Sequence, residues 1–234
     1  MAARSVPSKT LSKEQQAALD QAMFECLRNK DVDSLKICLS RGANVHAQLK
    51  VWRNGATQTL SISHEAVDNA VLADQLGDIL LAHGADLNIV DDRGRTPLIL
   101  ATIKRKSEDI KYLLSKNVDV HIKDKAGNTA LWHAVTSPSP VEADIQRLLA
   151  AGADPLSQNA QGEVILAKVI ELQNAFSNSG GNRVLKKVFA DLVRALPDNT
   201  VPSAGKDFSI AAEKEMRVVP PPLRHKTPLQ PPEV

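Results

Sequence analysis

"GRTPLILATIKRKSEDIKYLLSKNVDVHIKDKAGNTALWHAV", residues 94 to 135, contains its own copy. Shifted by 33 positions, Gly94 falls on Gly127, Thr96 on Thr129, Leu98 on Leu131 and Ala101 on Ala134. A fixed period of this size marks stacked supersecondary units. Two apolar stripes lie between the copies, Leu98 with Ala101 and then Ile110 with Leu113 and Leu114, each at helical spacing. Thr96-Pro97 starts the first helix, because the hydroxyl caps exposed amides and proline fits the first helical position. Asn117 stands where the neighbouring units carry Gly84 and Gly152, and asparagine is the next-best residue for left-handed backbone. Neither short helix can bury its stripe alone, so neighbours must stack.

Outward from this stretch, "HGADLN" (83–88), "RGANVH" (41–46) and "AGADPL" (151–156) repeat one further motif. The pattern resembles the ankyrin repeat. "GRTPLILA" and "GNTALWHA" stand where that family has Gly-x-Thr-Pro-Leu-His-x-Ala, and the "GAD" stretches where it has Gly-Ala-Asp-x-Asn. The likeness covers about residues 15 to 176 and is tightest from Leu80 to Ala160. It implies an all-α solenoid of about five helix–turn–helix units with β-hairpin fingers. The units are expected at about 12–48, 49–90, 91–123, 124–158 and 159–196, the last a degenerate cap with Val164-Ile165 in the Thr-Pro place. Residues 1–11 are expected to be disordered, as is the Pro-rich tail, 197–234, which has few large apolar residues. Ser12 with Gln15 is a candidate capping box for the first helix.

The second unit is longer. Gly42 to Gly84 is 42 residues, nine above the period. Aligning "SISHEA" (61–66) with the Thr-Pro-Leu-His-x-Ala stretch puts seven extra residues before Ala66 and two between the helices. The seven fall in "LKVWRNGATQTLSIS" (49–63), where Asn54-Gly55 signals a two-residue hairpin turn. A lengthened finger with a tryptophan beside its tip is expected.

Composition bounds the rest. Apolar residues make up 43% but aromatics only 3%, which suits helices stacked on small aliphatic side chains. The net charge of +2 gives no bulk attraction to nucleic acid or membrane. Cys26 and Cys38 lie on apolar helix faces and read as buried, reduced thiols. "MAARSVPSKTLSK" lacks the apolar core of a secretory signal, and no run reaches the ~18–20 apolar residues of a membrane span. A soluble cytoplasmic chain is expected, with delivery into a host cell as a bacterial effector the alternative.

Catalysis is not expected. None of the six histidines pairs with Cys, Asp or Glu at metal-ligand spacing, and His64-Glu65 does not continue into a His-Glu-x-x-His motif. "SGGNR" lacks the strand before and the Lys-Ser/Thr after that a phosphate loop needs. No cofactor or metal is implied. The third unit carries nine cations against six acids, an excess of three, without aromatics to stack on bases. It reads as a solvated face, and a nucleic-acid-associated regulator using Lys104, Arg105 and Lys106 is the alternative.

The resemblance implies a monomeric, non-catalytic module that binds a partner protein through a concave surface of finger tips and inner helix faces. Onto this chain the tips map as Trp52, Arg53 and Asn54, then Asp92, Arg93 and Arg95, then Lys125 and Asn128. The adjoining helix positions are Ile103, Lys104 and Thr136. Trp52 either contacts the partner, as tryptophans at interface centres do, or folds back as cover for the second unit.

Overall fold

Ser61, Thr96 and Thr129 each open a helix of seven residues, and a second helix follows each in the chain. A computed structural model of the chain describes residues 11–53, 56–69, 75–175 and 182–196, with positions 51–53, 56, 58, 174–175, 182–183 and 185 given as backbone only. The helices come in five pairs: α1 (Lys13–Asn29) with α2 (Val32–Ser40), α3 (Ile62–Asp68) with α4 (Gln75–Ala82), α5 (Pro97–Ile103) with α6 (Ser107–Ser115), α7 (Ala130–Thr136) with α8 (Glu142–Ala150), and α9 (Ile165–Ala175) with α10 (Asn182–Arg194). Strands β1 (Gln48–Arg53) and β2 (Ala56–Ser61) lie between the first and second pairs. The expectations for residues 1–10, for the two extra residues between α3 and α4, for the 177–181 linker and for the 197–234 tail fall outside the described residues.

The caps set the register. Ser61, Thr96 and Thr129 each accept, on the side-chain oxygen, the N–H three residues on, from His64, Ile99 and Trp132. That places "SISHEA" in line with "TPLILA" and "TALWHA". At the N-terminal end Ser12 and Gln15 exchange both capping-box bonds, at 3.2 and 3.0 Å.

First helices stack in one layer, α1 on α3, α3 on α5, α5 on α7 and α7 on α9. Second helices form the other layer, with α2 on α4, α6 on α8 and α8 on α10. The seam between layers is filled by Leu98, Ile110, Leu113, Leu131, Ile145 and Leu148, all essentially without exposure. Few aromatics join them, chiefly Phe24 and Trp132, so helices approach closely on small aliphatic side chains. Polar ties cross between units as well. Arg28 meets the buried Glu65 at 2.7 Å, and Asp78 accepts from the Tyr112 hydroxyl at 2.8 Å and from Lys116 at 3.0 Å.

Asn117 adopts left-handed backbone, φ +55°, as expected from its place in the repeat. Cys26 and Cys38 are free and buried. Burial, then the neighbouring Cys38 thiol, pushes the Cys26 thiol up to about 11, so it stays protonated and unreactive at neutral pH.

The fingers differ in length. Among the described residues β1–β2 is the one strand pair with a ladder, its register running from Gln48↔Ser61 to Arg53↔Ala56. That register leaves two residues, Asn54 and Gly55, for the connection. The later fingers close in a single turn, Asp91 N–H to Arg95 O at 3.0 Å, Asp124 N–H to Asn128 O at 2.9 Å and Asn159 N–H to Glu163 O at 3.0 Å. Outside the last of these turns Gln158 and Val164 form one isolated antiparallel bridge, and within the turns side chains take over the amides that a longer ladder would use.

Candidate protein-interaction surface

Each short finger is built on one side-chain oxygen. Asp91 Oδ1 accepts the N–H of Arg93 and of Arg95, both at 2.9 Å. Asp124 Oδ1 does the same for Ala126 and Asn128, and Asn159 Oδ1 for Gln161 and Glu163. These three residues organise the surface, and the contact residues drawn from the sequence omit them. Their signal was present: each stands three residues before a turn glycine, Gly94, Gly127 or Gly162.

The fingers then join edge to edge. Lys125 N–H donates to Arg93 O and Ala160 N–H to Ala126 O, both at 2.9 Å, and Lys123 Nζ reaches Gln158 O at 2.7 Å. The approach is close enough to exclude side chains at the turn. A Cβ on Gly94 would lie 2.9 Å from Lys125 N, and one on Gly127 2.3 Å from Ala160 N. The long hairpin enters the same row, because Asp92 Oδ2 accepts the Thr59 N–H of β2. Its base is fixed from below by His64, whose Nε2 meets Arg95 O at 2.7 Å.

Ser61 Oγ and His64 Nδ1, 2.7 Å apart, have the spacing of an activated nucleophile. Their surroundings give the pair another role. Nε2 must carry the proton to bond the Arg95 carbonyl, which leaves Nδ1 as acceptor for the Ser61 O–H, and both residues are buried. The pair is a cap and a tie between units. Burial, with the positive charge of Arg95 adding to it, lowers the His64 pKa below its ordinary value of 6.5 against the opposing carbonyl bond and Asp91. The unfolded chain therefore binds this proton first as pH falls. His64 contributes full stability above about pH 6.5 and loses it as pH drops from there toward the folded value. The expected result is a melting midpoint that falls between pH 7.5 and 5, with a shallower slope in His64→Gln than in wild type.

The predicted contact residues separate on this surface. Arg93 and Lys125 are exposed at adjoining tips and make no ion pair among the described residues, and Ile103 is 41% exposed. Asp92 is exposed but holds the hairpin. The Arg95 guanidinium is turned inward, giving Nε and Nη2 to Asp91 Oδ2 at 2.8 and 2.6 Å with 14% exposure. Lys104 pairs with Asp68. Asn128 is half-buried in its finger, and the Thr136 hydroxyl donates to Trp132 O at 2.8 Å. Trp52 sits opposite Thr57 and Arg53 opposite Ala56, described as backbone, while Asn54 lies outside the described residues.

Among the described residues no three His, Cys, Asp or Glu side chains cluster as metal ligands, and no helix is long and apolar enough to cross a membrane. The family model for ankyrin repeats (3 copies) matches residues 21–124 and 63–159, together more than half of the chain. The chain belongs to the ankyrin repeat family. Similar proteins include the human transient receptor potential cation channel subfamily A member 1, 31% identical over 140 residues, 48% of this chain and 12% of that one. Rabankyrin-5 of Mus musculus is 44% identical over 62 residues, 26% of this chain and 5% of that one. Human ankyrin repeat and SOCS box protein 6 is 33% identical over 159 residues, 63% and 37% of the two chains. This chain thus spans a minor part of each relative's length. Ankyrin repeats are in general protein–protein interaction modules and not catalysts.

Proposed function

We propose that this ankyrin repeat protein acts without catalysis, as a monomer in the cytoplasm, by binding a partner protein along its finger row. Residues 12–196 form the binding domain in this reading, with 1–11 and 197–234 as flanking tails. The observation that carries it is the row itself. A continuous chain of hydrogen bonds runs from the Thr59 N–H of β2 to the Asp92 carboxylate, then backbone to backbone from Lys125 to Arg93 and from Ala160 to Ala126, with each finger closed by its own side chain. Along it Asp91 is ion-paired with Arg95, Asp124 hydrogen-bonds His133 at 2.7 Å, and Asp92 accepts from the hairpin. Arg93 and Lys125 stay uncommitted, so the partner surface is expected to be acidic, and the exposed Ile103 adds an apolar contact. Trp52 and Arg53 extend the same edge on the long hairpin.

Basic charge alone supports nucleic acid less well. Of the cations in the third unit, Arg95, Lys104, Lys111 and Lys116 are spent on Asp91, Asp68, Glu108 and Asp78. Of the other five, Lys123 gives its Nζ to Gln158 O, Arg93 and Lys125 stand at the finger tips, and Arg105 and Lys106 lie in the turn after α5.

A quantitative pull-down from nuclease-treated lysate at physiological salt tests the reading. Wild type is compared with Trp52→Ala/Arg93→Glu and with Lys36→Glu/Lys111→Glu on the second helices. A protein retained by wild type and by the second-helix variant, but reduced about tenfold or more by the finger variant, is expected, since hot-spot losses exceed ~1.4 kcal/mol. Equal retention by all three would move the contact away from the fingers. Recovery of nuclease-sensitive material only would replace the protein partner with nucleic acid.

A further inference from the structure

The turn between α7 and α8 is Ser137-Pro138-Ser139-Pro140-Val141, two residues longer than its counterpart Lys104-Arg105-Lys106 between α5 and α6. The insertion supplies two Ser-Pro dipeptides, and the stacking of α5 on α7 needs neither. Ser139 is exposed, whereas Ser137 is half-buried, its Oγ accepting the Ser139 N–H at 3.4 Å. Proline holds the residue before it extended, and Ser137 shows this at φ −58° and ψ 141°.

Across the unit boundary the loop faces a cation. Ser137 and Ser139 line one small surface cavity with Arg105 of the preceding turn. Arg105 is exposed and makes no ion pair among the described residues, and its neighbour Lys106 makes none either. It also holds left-handed backbone at φ +55°, where glycine would be cheaper, so its side chain is kept at a conformational cost. The acids nearby are already matched. Asp144, on the cavity wall, takes Arg147 Nη1 and Ser107 Oγ at 2.6 Å each, and Glu142 pairs with Lys187 and Gln146.

We propose that Ser139 is a phosphorylation site for a proline-directed serine/threonine kinase, and that the Arg105 guanidinium receives the phosphate across the unit boundary. In the step, Ser139 Oγ attacks the γ-phosphorus of a nucleoside triphosphate bound to the kinase. The new O–P bond forms as the bond to the β-phosphate oxygen breaks, the hydroxyl proton passes to the kinase's base, and the nucleoside diphosphate leaves. The product carries close to two negative charges and three acceptor oxygens, which a guanidinium pairs with well. The pair then clips the third unit to the fourth beside Ile103 and Thr136, adding negative charge at that end of the inner helices.

The full chain, incubated with ATP, magnesium and an active proline-directed kinase, is mapped by peptide mass spectrometry, with a peptide of residues 136–142 as positive control. Phosphate on Ser139 is expected. Thr96, the buried cap before Pro97, should stay unmodified, and Thr227 before Pro228 is scored separately. The phosphorylated chain should melt about 2–4 °C higher than the unmodified one, and Arg105→Gly, whose backbone suits the turn, should lose most of that rise while folding normally. A modified control peptide with an unmodified Ser139 in the protein, or phosphate on Ser137 alone, would overturn the site. The same rise in Arg105→Gly, or no rise in wild type, would overturn the role of Arg105.

Discussion

Gly127→Ala is expected to destabilise the chain by about 3–5 kcal/mol, adding a clash with backbone to left-handed strain. Gly127 has φ +78°, and the added methyl carbon would sit 2.3 Å from Ala160 N and 2.8 Å from Asn159 C. Those are backbone atoms, so no side chain can swing aside. The next finger must retreat, and the Ala160 N–H to Ala126 O bond goes with it. Gly152 provides the matched control. Its φ is +90°, but nothing lies within 4 Å of an added Cβ, so Gly152→Ala should cost only the conformational part, about 1–2 kcal/mol. Urea unfolding of the two variants separates strain from stacking. Equal losses would mean that the fingers do not approach as described.

Leu131→Ala should cost about 2–5 kcal/mol, and Leu113→Ala a similar amount, through lost burial plus the cavity left behind. Both side chains have no exposure. Leu131 lies on α7, between α5 and α9, and Leu113 on α6 in the seam between layers. Small aliphatic neighbours on short, stacked helices have little freedom to close the gap. The melting midpoint is expected to fall by roughly 5–15 °C in each. Ile37→Ala, at a side chain 49% exposed, should move it little. Unchanged melting in both leucine variants would displace the register derived from Thr96 and Thr129.

Much of the fold was legible because its determinants are local. A hydroxyl caps its own helix three residues on, so Ser61, Thr96 and Thr129 announce their helices by sequence alone. Asn117 in a glycine place announces a left-handed turn. The surface was less legible, because its charges are matched over longer distances. Arg93 and Arg95 are equivalent in the sequence, two residues apart at one tip. The turn at Gly94 folds Arg95 back onto Asp91 and leaves Arg93 outside. Lys104 finds its partner in Asp68, one unit earlier, which only the stacking of α3 on α5 brings near. The single-turn closure of the later fingers depends on Asp91, Asp124 and Asn159 accepting two amides each, a pattern that spacing marks but cannot by itself interpret.

The finger row as the binding side is tested most directly by amide hydrogen exchange of the full chain, alone and saturated with the partner captured by wild type. Slower exchange is expected at 91–95, 124–128 and in β1–β2, with α4, α6 and α8 unchanged. Protection confined to those second helices, or to residues 197–234, would contradict it.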